Sequence, residues 1–285
     1  MKLGILDFGE VDVDSNGVEA IYNTINNCQI SERKGYSRYW LSEHYTNTIA
    51  WRNADIILTL LAGYTERIKI GSAGVKLDLY KSSFDIAQNY KILSSLFENR
   101  IDLGFAKGFE TKEVMDVICD AEVKLNSIEK IEKIIKMFNN EFRSVPLVPL
   151  TKSKPDFWML GTSESMVNFI IENKLNFSLS LFHNTNSPIP DAEIIADLKT
   201  KFFDKNGYYP QINIAISVFC HSSKKRIKKE IANRKNVELN VFGNPIECRD
   251  KIKNLLEKYH SDEAIILNLG ENQEEKLYLI ENLIE

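Results

Sequence analysis

The chain has 285 residues, long enough for one barrel or two smaller domains with a sizeable core. Lys and Arg number 36 against 40 Asp and Glu, so the formal net charge of -4 gives no electrostatic footprint for nucleic acid, and we expect no nucleic-acid partner. No stretch approaches the roughly 18 apolar residues of a membrane span, and the first residues reach an acid too soon for a signal peptide. We therefore expect a cytoplasmic protein that binds no membrane.

The four cysteines favour the same location. Cys28, Cys119, Cys220 and Cys248 are far apart in the sequence and include no CxxC pair. Such spacing is typical of reduced thiols in a cytosolic protein, and we expect these thiols to be half-buried.

Short β-branched runs alternate with longer amphipathic segments along the chain, a pattern typical of βα units around a parallel sheet. The predicted strands are residues 3–6, 39–41, 68–72, 101–105, 156–160, 177–181, 212–219 and 264–268. The predicted helices are residues 18–33, 54–62, 85–96, 127–137, 164–172, 192–203, 246–259 and 274–284.

Eight such units without a Pro-, Gly- and Ser-rich linker predict one domain over residues 1–285. Its expected fold is an α/β protein with a single (β/α)8 TIM-type barrel, in preference to a doubly wound sheet. Two irregular stretches, 109–125 and 139–154, flank the fourth predicted helix, where the barrel has room for an excursion or lid.

The active site of such a barrel lies at the C-terminal ends of its strands. The candidates at the predicted strand ends are Asp7, Glu43, His44, Ser72, Ala73, Gly74, Ala106, Lys107, Gly108, Gly161, Thr162, Ser163, Ser180, His183 and His221.

Glu43 and His44 follow the second predicted strand, and both side chains are expected to converge on the barrel mouth. His44 would offer a titratable group there, and the alternative is a histidine that caps the strand end without chemistry. The third strand runs into the small residues 71–74, which let a flat cofactor ring approach the backbone.

The turn formed by Gly161, Thr162 and Ser163 lies between the fifth predicted strand and its helix. A glycine and two hydroxyls at a helix N-terminus present donors at the positive end of the helix dipole, which suits a phosphate group. The alternative is an ordinary helix N-cap formed by Thr162 or Ser163.

Other patterns argue against further kinds of site. His44, His183 and His221 have no metal-binding spacing such as HxH or HExxH, so we expect no metal. The basic run 224–235 has isoleucines at helical spacing, which favours the solvated face of a short helix over an anion or nucleic-acid site. The chain has no Walker loop, GxGxxG or GxSxG motif, which removes the commonest NTPase, dinucleotide-binding and hydrolase classes.

Several segments, in order along nearly the whole chain, resemble the bacterial luciferase-like flavin monooxygenase family. They are Leu6-Asp7 and residues 35–44 (GYSRYWLSEH), 67–75 (RIKIGSAGV), 100–104 (RIDLG), 158–163 (WMLGTS), 242–245 (FGNP) and 262–266 (DEAII). Each string alone is weak, but their common order makes the match specific. The resemblance implies a TIM-type barrel that binds FMN, usually reduced by a separate reductase, and uses O₂ to oxygenate a small substrate.

The resemblance also implies roles for particular residues. His44 matches the site histidine of the family, an acid/base near the flavin. Glu43 matches a position that helps to hold the local backbone. Ala73 and Gly74 match a non-prolyl cis peptide that lies against the flavin ring.

The remaining matches concern the flavin and its phosphate. Lys107 stands where many members have an arginine near the flavin or its phosphate. Thr162 and Ser163, after Gly161, match the phosphate-binding turn, and Ser180 matches a hydroxyl near the ring.

The chain departs from the family pattern at four places. Tyr45 follows His44 where a second histidine is common, and the usual proline after the third strand is absent from residues 77–80. Lys107 in place of arginine loses a bidentate contact. After the seventh strand, residues 222–241 form a short connection where relatives commonly have a long mobile loop that excludes water.

Two other functions remain open at this point. One is a related barrel that uses a deazaflavin for hydride transfer without O₂, and the other is a catalytically quiet flavin-binding protein or one subunit of a heterodimer. Residues 56–61 have more apolar surface than one face against the barrel needs, which predicts a homodimer through the second helix. The alternative is a deeply covered helix.

Overall fold

The computed structural model describes residues 1–13, 15–77, 82–106, 112–118, 125–161, 166–182, 192–233 and 240–284. The strands are β1 (Lys2–Asp7), β2 (Arg38–Leu41), β3 (Lys69–Lys76), β4 (Ile101–Ala106), β5 (Asp156–Gly161), β6 (Asn176–Ser180), β7 (Ile212–Cys220), β8 (Val241–Gly243) and β9 (Glu263–Asn268). The helices are α1 (Gly17–Lys34), α2 (Ala54–Gly63), α3 (Ser83–Leu96), α4 (Lys112–Ile118), α5 (Ser127–Phe138), α6 (Val167–Asn173), α7 (Glu193–Asn206), α8 (Lys224–Asn233), α9 (Pro245–Lys258) and α10 (Gln273–Asn282). Within these ranges no helix is long and apolar enough to cross a membrane.

Eight of the described strands form a closed parallel barrel. Strands β1 to β7 pair in sequence order, β7 pairs with β9, and β9 pairs back with β1. The short strand β8 lies outside this ring and pairs with the last residues of β7. The predicted (β/α)8 TIM-type barrel is therefore confirmed.

Predicted and observed elements agree within a few residues at most ends, because buried β-branched runs and amphipathic runs differ clearly in period. The largest difference among the strands is in β3, which continues past its predicted end at residue 72 to Lys76. Val75 and Lys76 pair with β4 after a register shift that follows Ser72. Small residues therefore interrupt the strand pattern without ending the strand.

The connections also differ from the expectation in part. The stretch 109–125, predicted to be irregular, contains helix α4. The short connection 222–241 contains α8, the helix that the basic run predicted, and the unpredicted strand β8 begins at its last residue. The stretch 139–154 has no helix or strand beyond the end of α5.

Reciprocal capping boxes fix the start of two of the described helices. Asn126 and Asn244 each accept a backbone N–H bond from the first turn, while Glu129 and Glu247 accept the N–H of the cap residue in return. These capping boxes satisfy N–H groups that have no partner inside the helix, so the start of α5 and of α9 is set by local sequence.

A buried ion cluster fills the N-terminal end of the barrel interior. Arg38 donates from Nη1 to Asp102 at 2.7 Å and from Nε to Glu263 at 2.8 Å. Its guanidinium carbon lies 5.3 Å and 4.6 Å from the ring centres of Trp40 and Trp158. Burial lowers the pKa of Arg38, but the two carboxylates outweigh burial and hold the pKa above its usual value. Arg38 therefore remains charged inside the barrel.

The approach of β3 to β4 requires glycine. A Cβ atom built on Gly104 would lie 2.2 Å from the carbonyl oxygen of Ser72, and one built on Gly71 would lie 2.5 Å from that of Asp102. No carbon atom fits at such distances, so the absence of side chains lets the two strands pair here.

The cysteines lie deeper than expected. Cys28, Cys220 and Cys248 are free thiols with 0–2% of their surface exposed, and Cys119 lies outside the described residues. The prediction of half-buried thiols is therefore wrong for these three. They act as small apolar side chains of the core, and burial raises the pKa of Cys28.

Arg38→Met keeps a long side chain but leaves Asp102 and Glu263 buried without their cation. We expect the free energy of unfolding, measured by urea denaturation, to fall by about 3–5 kcal/mol. Arg67→Met is the control, because Arg67 is 72% exposed and lies 3.8 Å from Glu66. Its effect should stay below about 1 kcal/mol. Equal losses in the two variants would contradict the importance of the ion cluster.

Gly104→Ala tests the approach of β3 to β4. The added methyl group should lower the free energy of unfolding by about 1–3 kcal/mol, because backbone atoms must move to admit it. Gly161→Ala on β5 is the control, since the nearest heavy atom to its new Cβ within the described residues would be 4.0 Å away. If both variants unfold at the same urea concentration as the wild type, the two strands have more room than the structure indicates.

Candidate active site

An apolar cluster fills the barrel interior from the level of Trp40 and Trp158 up to the mouth. Side chains alternate along a strand, so every second residue of each barrel strand faces inward. The buried members are Leu6, Trp40, Trp158, Phe182, Ala215, Phe219, Ile227, Ile265, Leu267 and Leu269, and the partly buried members are Phe8, Ala73, Leu160 and Phe242. Because Phe8, Ala73 and Leu160 lie at or beyond the C-terminal part of their strands, they border the mouth of the barrel.

Small residues of β3 and β4 form one side of the mouth. Ala73 and Gly74 lie on β3, and Gly104 and Ala106 lie on β4. Ala73 and Ala106 are partly exposed, and the Ala73–Gly74 peptide bond is cis, as the resemblance implies. This side presents methyl groups and backbone, a surface that a planar ring can contact closely.

Aromatic side chains form another side of the mouth. The ring centre of His44 lies 4.6 Å from that of Phe8, which lies 6.2 Å from that of Phe182. Phe8 and Phe182 were not among the predicted site residues. Each lies two positions beyond an inward residue, Leu6 or Ser180, so strand alternation was the signal that could have found them.

Glu43 and His44 do not converge, contrary to the expectation. Glu43 is 2% exposed, and its carboxylate accepts the backbone N–H of Ala54 at 3.3 Å and that of Lys76 at 3.2 Å. Consecutive residues of extended chain point to opposite faces, so His44 faces the mouth while Glu43 faces the helices. Glu43 thus ties the start of α2 to the end of β3.

Lys76 is a further charged residue at the mouth. It pairs with Ala106 at the end of β3, and its Nζ lies 5.5 Å from the ring centre of Tyr45. Burial lowers the pKa of Lys76 despite the attraction of Glu43. Lys76 escaped prediction because β3 was expected to end at residue 72.

Asp7 belongs to a different part of the molecule. Its Oδ2 accepts the hydroxyls of Thr24 at 2.8 Å and Tyr39 at 2.7 Å, and its Oδ1 accepts the N–H of Gly9 at 2.8 Å. Asp7 lines a polar cavity of about 40 Å³ among residues of β1, α1 and α10. A cavity of this size holds a few water molecules. Asp7 therefore faces the helices and not the mouth.

Two serines on β6 lie on the inward face of the strand. Ser180 is 8% exposed, and Ser178, two residues below it, is 1% exposed. Ser178 Oγ has no hydrogen-bond partner in the described part of the chain. A buried hydroxyl without a partner costs free energy, and a polar ligand edge or a water molecule would relieve that cost.

Several predicted site residues lie outside the described residues: Lys107, Gly108, Thr162, Ser163 and His183. Gly161, the first residue of the predicted phosphate-binding turn, is partly exposed at the end of β5.

His221 lies on the rim above β7 and is held by its neighbours. Its ring stacks on Phe219 with centres 6.2 Å apart, and its Nδ1 accepts the N–H of Ser223 at 2.8 Å. Among the residues that the structure describes, no group of three or more His, Cys, Asp and Glu is placed to hold a metal ion.

Known proteins share this fold. The structure of apo-MsnO8 superposes with a TM-score of 0.84 at 18% identity and covers 99% of this chain and 97% of its own. The oxygenating constituent of 3,6-diketocamphane monooxygenase from Pseudomonas putida, in complex with FMN, gives 0.73 at 13% identity, covering 99% and 96%. An F420-dependent secondary alcohol dehydrogenase gives 0.64 at 9% identity, covering 99% and 98%.

Sequence comparison identifies the family. The N-acetyl-S-alkylcysteine monooxygenase of Bacillus subtilis (strain 168) is 27% identical over 252 residues, which cover 84% of this chain and 73% of that protein. A sequence model of the luciferase-like monooxygenases matches residues 1–261. The chain therefore belongs to the luciferase-like monooxygenase family.

Proposed function

We propose that this protein uses reduced FMN and O₂ to oxygenate a small organic substrate. The observation that carries the proposal is the mouth of the barrel, where Ala73 belongs to the same apolar cluster as Phe8, whose ring lies 4.6 Å from that of His44, and where Gly74 and Ala106 lie at the ends of β3 and β4. Such a space admits a flat ring on its small side and an apolar substrate beside the aromatic side chains. Membership of the monooxygenase family supports the same reaction.

The described residues fit FMN. The methyl groups of Ala73 and Ala106 and the backbone at Gly74 would contact the ring. Ser180, at the C-terminal end of β6, would meet polar atoms at the edge of the ring.

We assign the phosphate to the turn after β5. Gly161 lies at its start, and an added Cβ there would have 4.0 Å of clearance from the nearest described atom. Thr162, Ser163 and Lys107 complete the proposed phosphate site, since hydroxyls, N–H groups and a cation all favour an anion.

Bound reduced FMN would supply two electrons and two protons, so that one atom of O₂ enters the substrate and the other leaves as water. The protein supplies position and protection. The side chains of Phe8, Phe182 and Phe219 keep water from the reacting atoms. An imidazole nitrogen of His44 holds or moves a proton at the edge of this space.

Partners follow from the same proposal. A separate reductase would deliver reduced FMN; the Pseudomonas putida protein is likewise the oxygenating constituent of its monooxygenase. We further propose a homodimer through α2, because Ile56 and Leu60 are 65% and 39% exposed while the buried face of the helix already packs on the barrel.

The buried cysteines that the structure describes are free thiols, which fits a cytoplasmic location.

Isotope labelling tests the function. Purified protein is loaded with FMN, reduced without air and exposed to ¹⁸O₂ with an N-acetyl-S-alkylcysteine, the substrate named for the Bacillus relative. We expect a product that carries one ¹⁸O atom. A parallel sample with reduced deazaflavin should give no hydride transfer to a ketone. Hydride transfer there without oxygenation would favour the deazaflavin alternative, and FMN binding without either reaction on a wider substrate panel would favour a quiet flavin-binding protein.

His44→Ala separates proton transfer from binding. We expect turnover to fall by about 10²- to 10⁴-fold, because a positioned acid/base typically contributes that much. FMN affinity, measured by titration, should change little, since the proposed ring and phosphate contacts lie elsewhere. His260→Asn on the surface is the control, and asparagine tolerates the positive φ of that position. Unchanged single-turnover rates in His44→Ala at matched flavin occupancy would end the acid/base assignment.

A further inference from the structure

Helix α8 lies against the barrel mouth and is not simply a solvated surface helix. It begins at Lys224, after a three-residue connection from the end of β7. Its residue Ile227 is 8% exposed and packs into the apolar cluster of the barrel interior. Its lysines at 224, 225, 228 and 229 are exposed, in line with the solvated face that the basic run predicted. Arg226 is different, with only 16% of its side chain exposed.

Arg226 is the centre of an ion cluster that joins α8 to the segment after β9. It donates from Nε to Glu275 at 2.6 Å and from Nη1 to Glu230 at 2.7 Å, and Nη2 lies 2.8 Å from Glu271. The side chains of Glu230 and Glu275 are 1% and 10% exposed. The guanidinium carbon lies 4.8 Å from the ring centre of Phe219, an inward residue of β7.

The charges in this cluster explain why α8 would depend on Arg226. Burial lowers the pKa of Arg226, but its bonds to Glu275 and Glu230 outweigh burial and raise the pKa, so the guanidinium stays charged. Three carboxylates surround this one arginine. Without it, the buried carboxylates of Glu230 and Glu275 would lose the cation that both bind, and the repulsion between them is relieved when α8 moves away from the segment after β9.

We propose that α8 covers the β7 and β9 side of the barrel mouth, and that Arg226 is the positioning residue that holds this cover in place. The inference rests on the proposed oxygenase function. Arg226 does not take part in the chemistry. By holding Ile227 over the apolar cluster, it keeps water out while O₂ is consumed, and in its absence more of the O₂ is reduced to hydrogen peroxide without oxygenation of the substrate.

The test compares Arg226→Met with Lys229→Met. Both variants remove one positive charge from α8, but Lys229 is exposed. Hydrogen–deuterium exchange of the peptide 224–233 should rise several-fold in Arg226→Met only. Quenching of the fluorescence of bound FMN by iodide should also rise several-fold in Arg226→Met only. Loss of a positive charge by itself would weaken iodide quenching, so a rise reports access and not charge.

The amount of hydrogen peroxide formed per O₂ consumed would not change if Arg226 had only a structural role. At matched FMN occupancy and stability, the hydrogen peroxide formed per O₂ consumed should rise in Arg226→Met while the Kd for FMN changes less than about threefold. If Arg226→Met does not fold, Arg226→Lys replaces it, because lysine keeps the positive charge but cannot make the three directed contacts of the guanidinium.

The outcomes separate this inference from the proposed function. If the wild-type protein binds no FMN, the proposed function is contradicted. Hydrogen–deuterium exchange of the peptide 224–233 still decides in that case whether Arg226 holds α8. Unchanged exchange in the folded variant overturns the role of Arg226. Faster exchange with unchanged iodide quenching and unchanged peroxide yield overturns the role of α8 as a cover.

Discussion

A closed barrel of eight parallel strands has one interior, and every second residue of each strand must share it. The interior has no room for eight large side chains in one layer, so large and small residues must alternate from strand to strand. Arg38, with Trp40 and Trp158 stacked around it, occupies the lower part. The glycines at 71 and 104 are the counterpart on β3 and β4, where no side chain fits. On the same two strands, Ala73, Gly74 and Ala106 continue the run of small residues to the mouth.

The same alternation divides the roles of neighbouring residues. Glu43 and His44 are adjacent in sequence but point to opposite sides of the extended chain that follows β2. Glu43 accepts backbone N–H groups of α2 and β3 behind the mouth, and the ring of His44 lies 4.6 Å from that of Phe8 inside it. Likewise Asp7 accepts a hydrogen bond from α1, while its neighbours Leu6 and Phe8 face the barrel interior. A single strand end thus supplies one group that holds the scaffold and one that faces a ligand.

These relations explain what could be predicted from the sequence. Strands such as 101–105 and helices such as 127–137 were found because their apolar residues repeat at clearly different periods. The end of β3 was missed because Gly74 carries no side chain to continue the pattern, and Lys76 was missed with it. The ion cluster around Arg226 could not be predicted. The run that contains Arg226 looks uniformly basic, and the acidic partners Glu271 and Glu275 lie more than forty residues away in the sequence. His44 stays a predicted site residue, but its expected convergence with Glu43 was wrong, because strand alternation was not applied beyond the strand end.

We propose that a flavin binds in the mouth of this barrel with one face against β3 and β4. A crystal structure of the protein with bound FMN would show where the ring lies. We expect the ring to contact Ala73, Gly74 and Ala106, with His44 on the open side. A ring outside the mouth, or bound in the polar cavity beside Asp7, would contradict it.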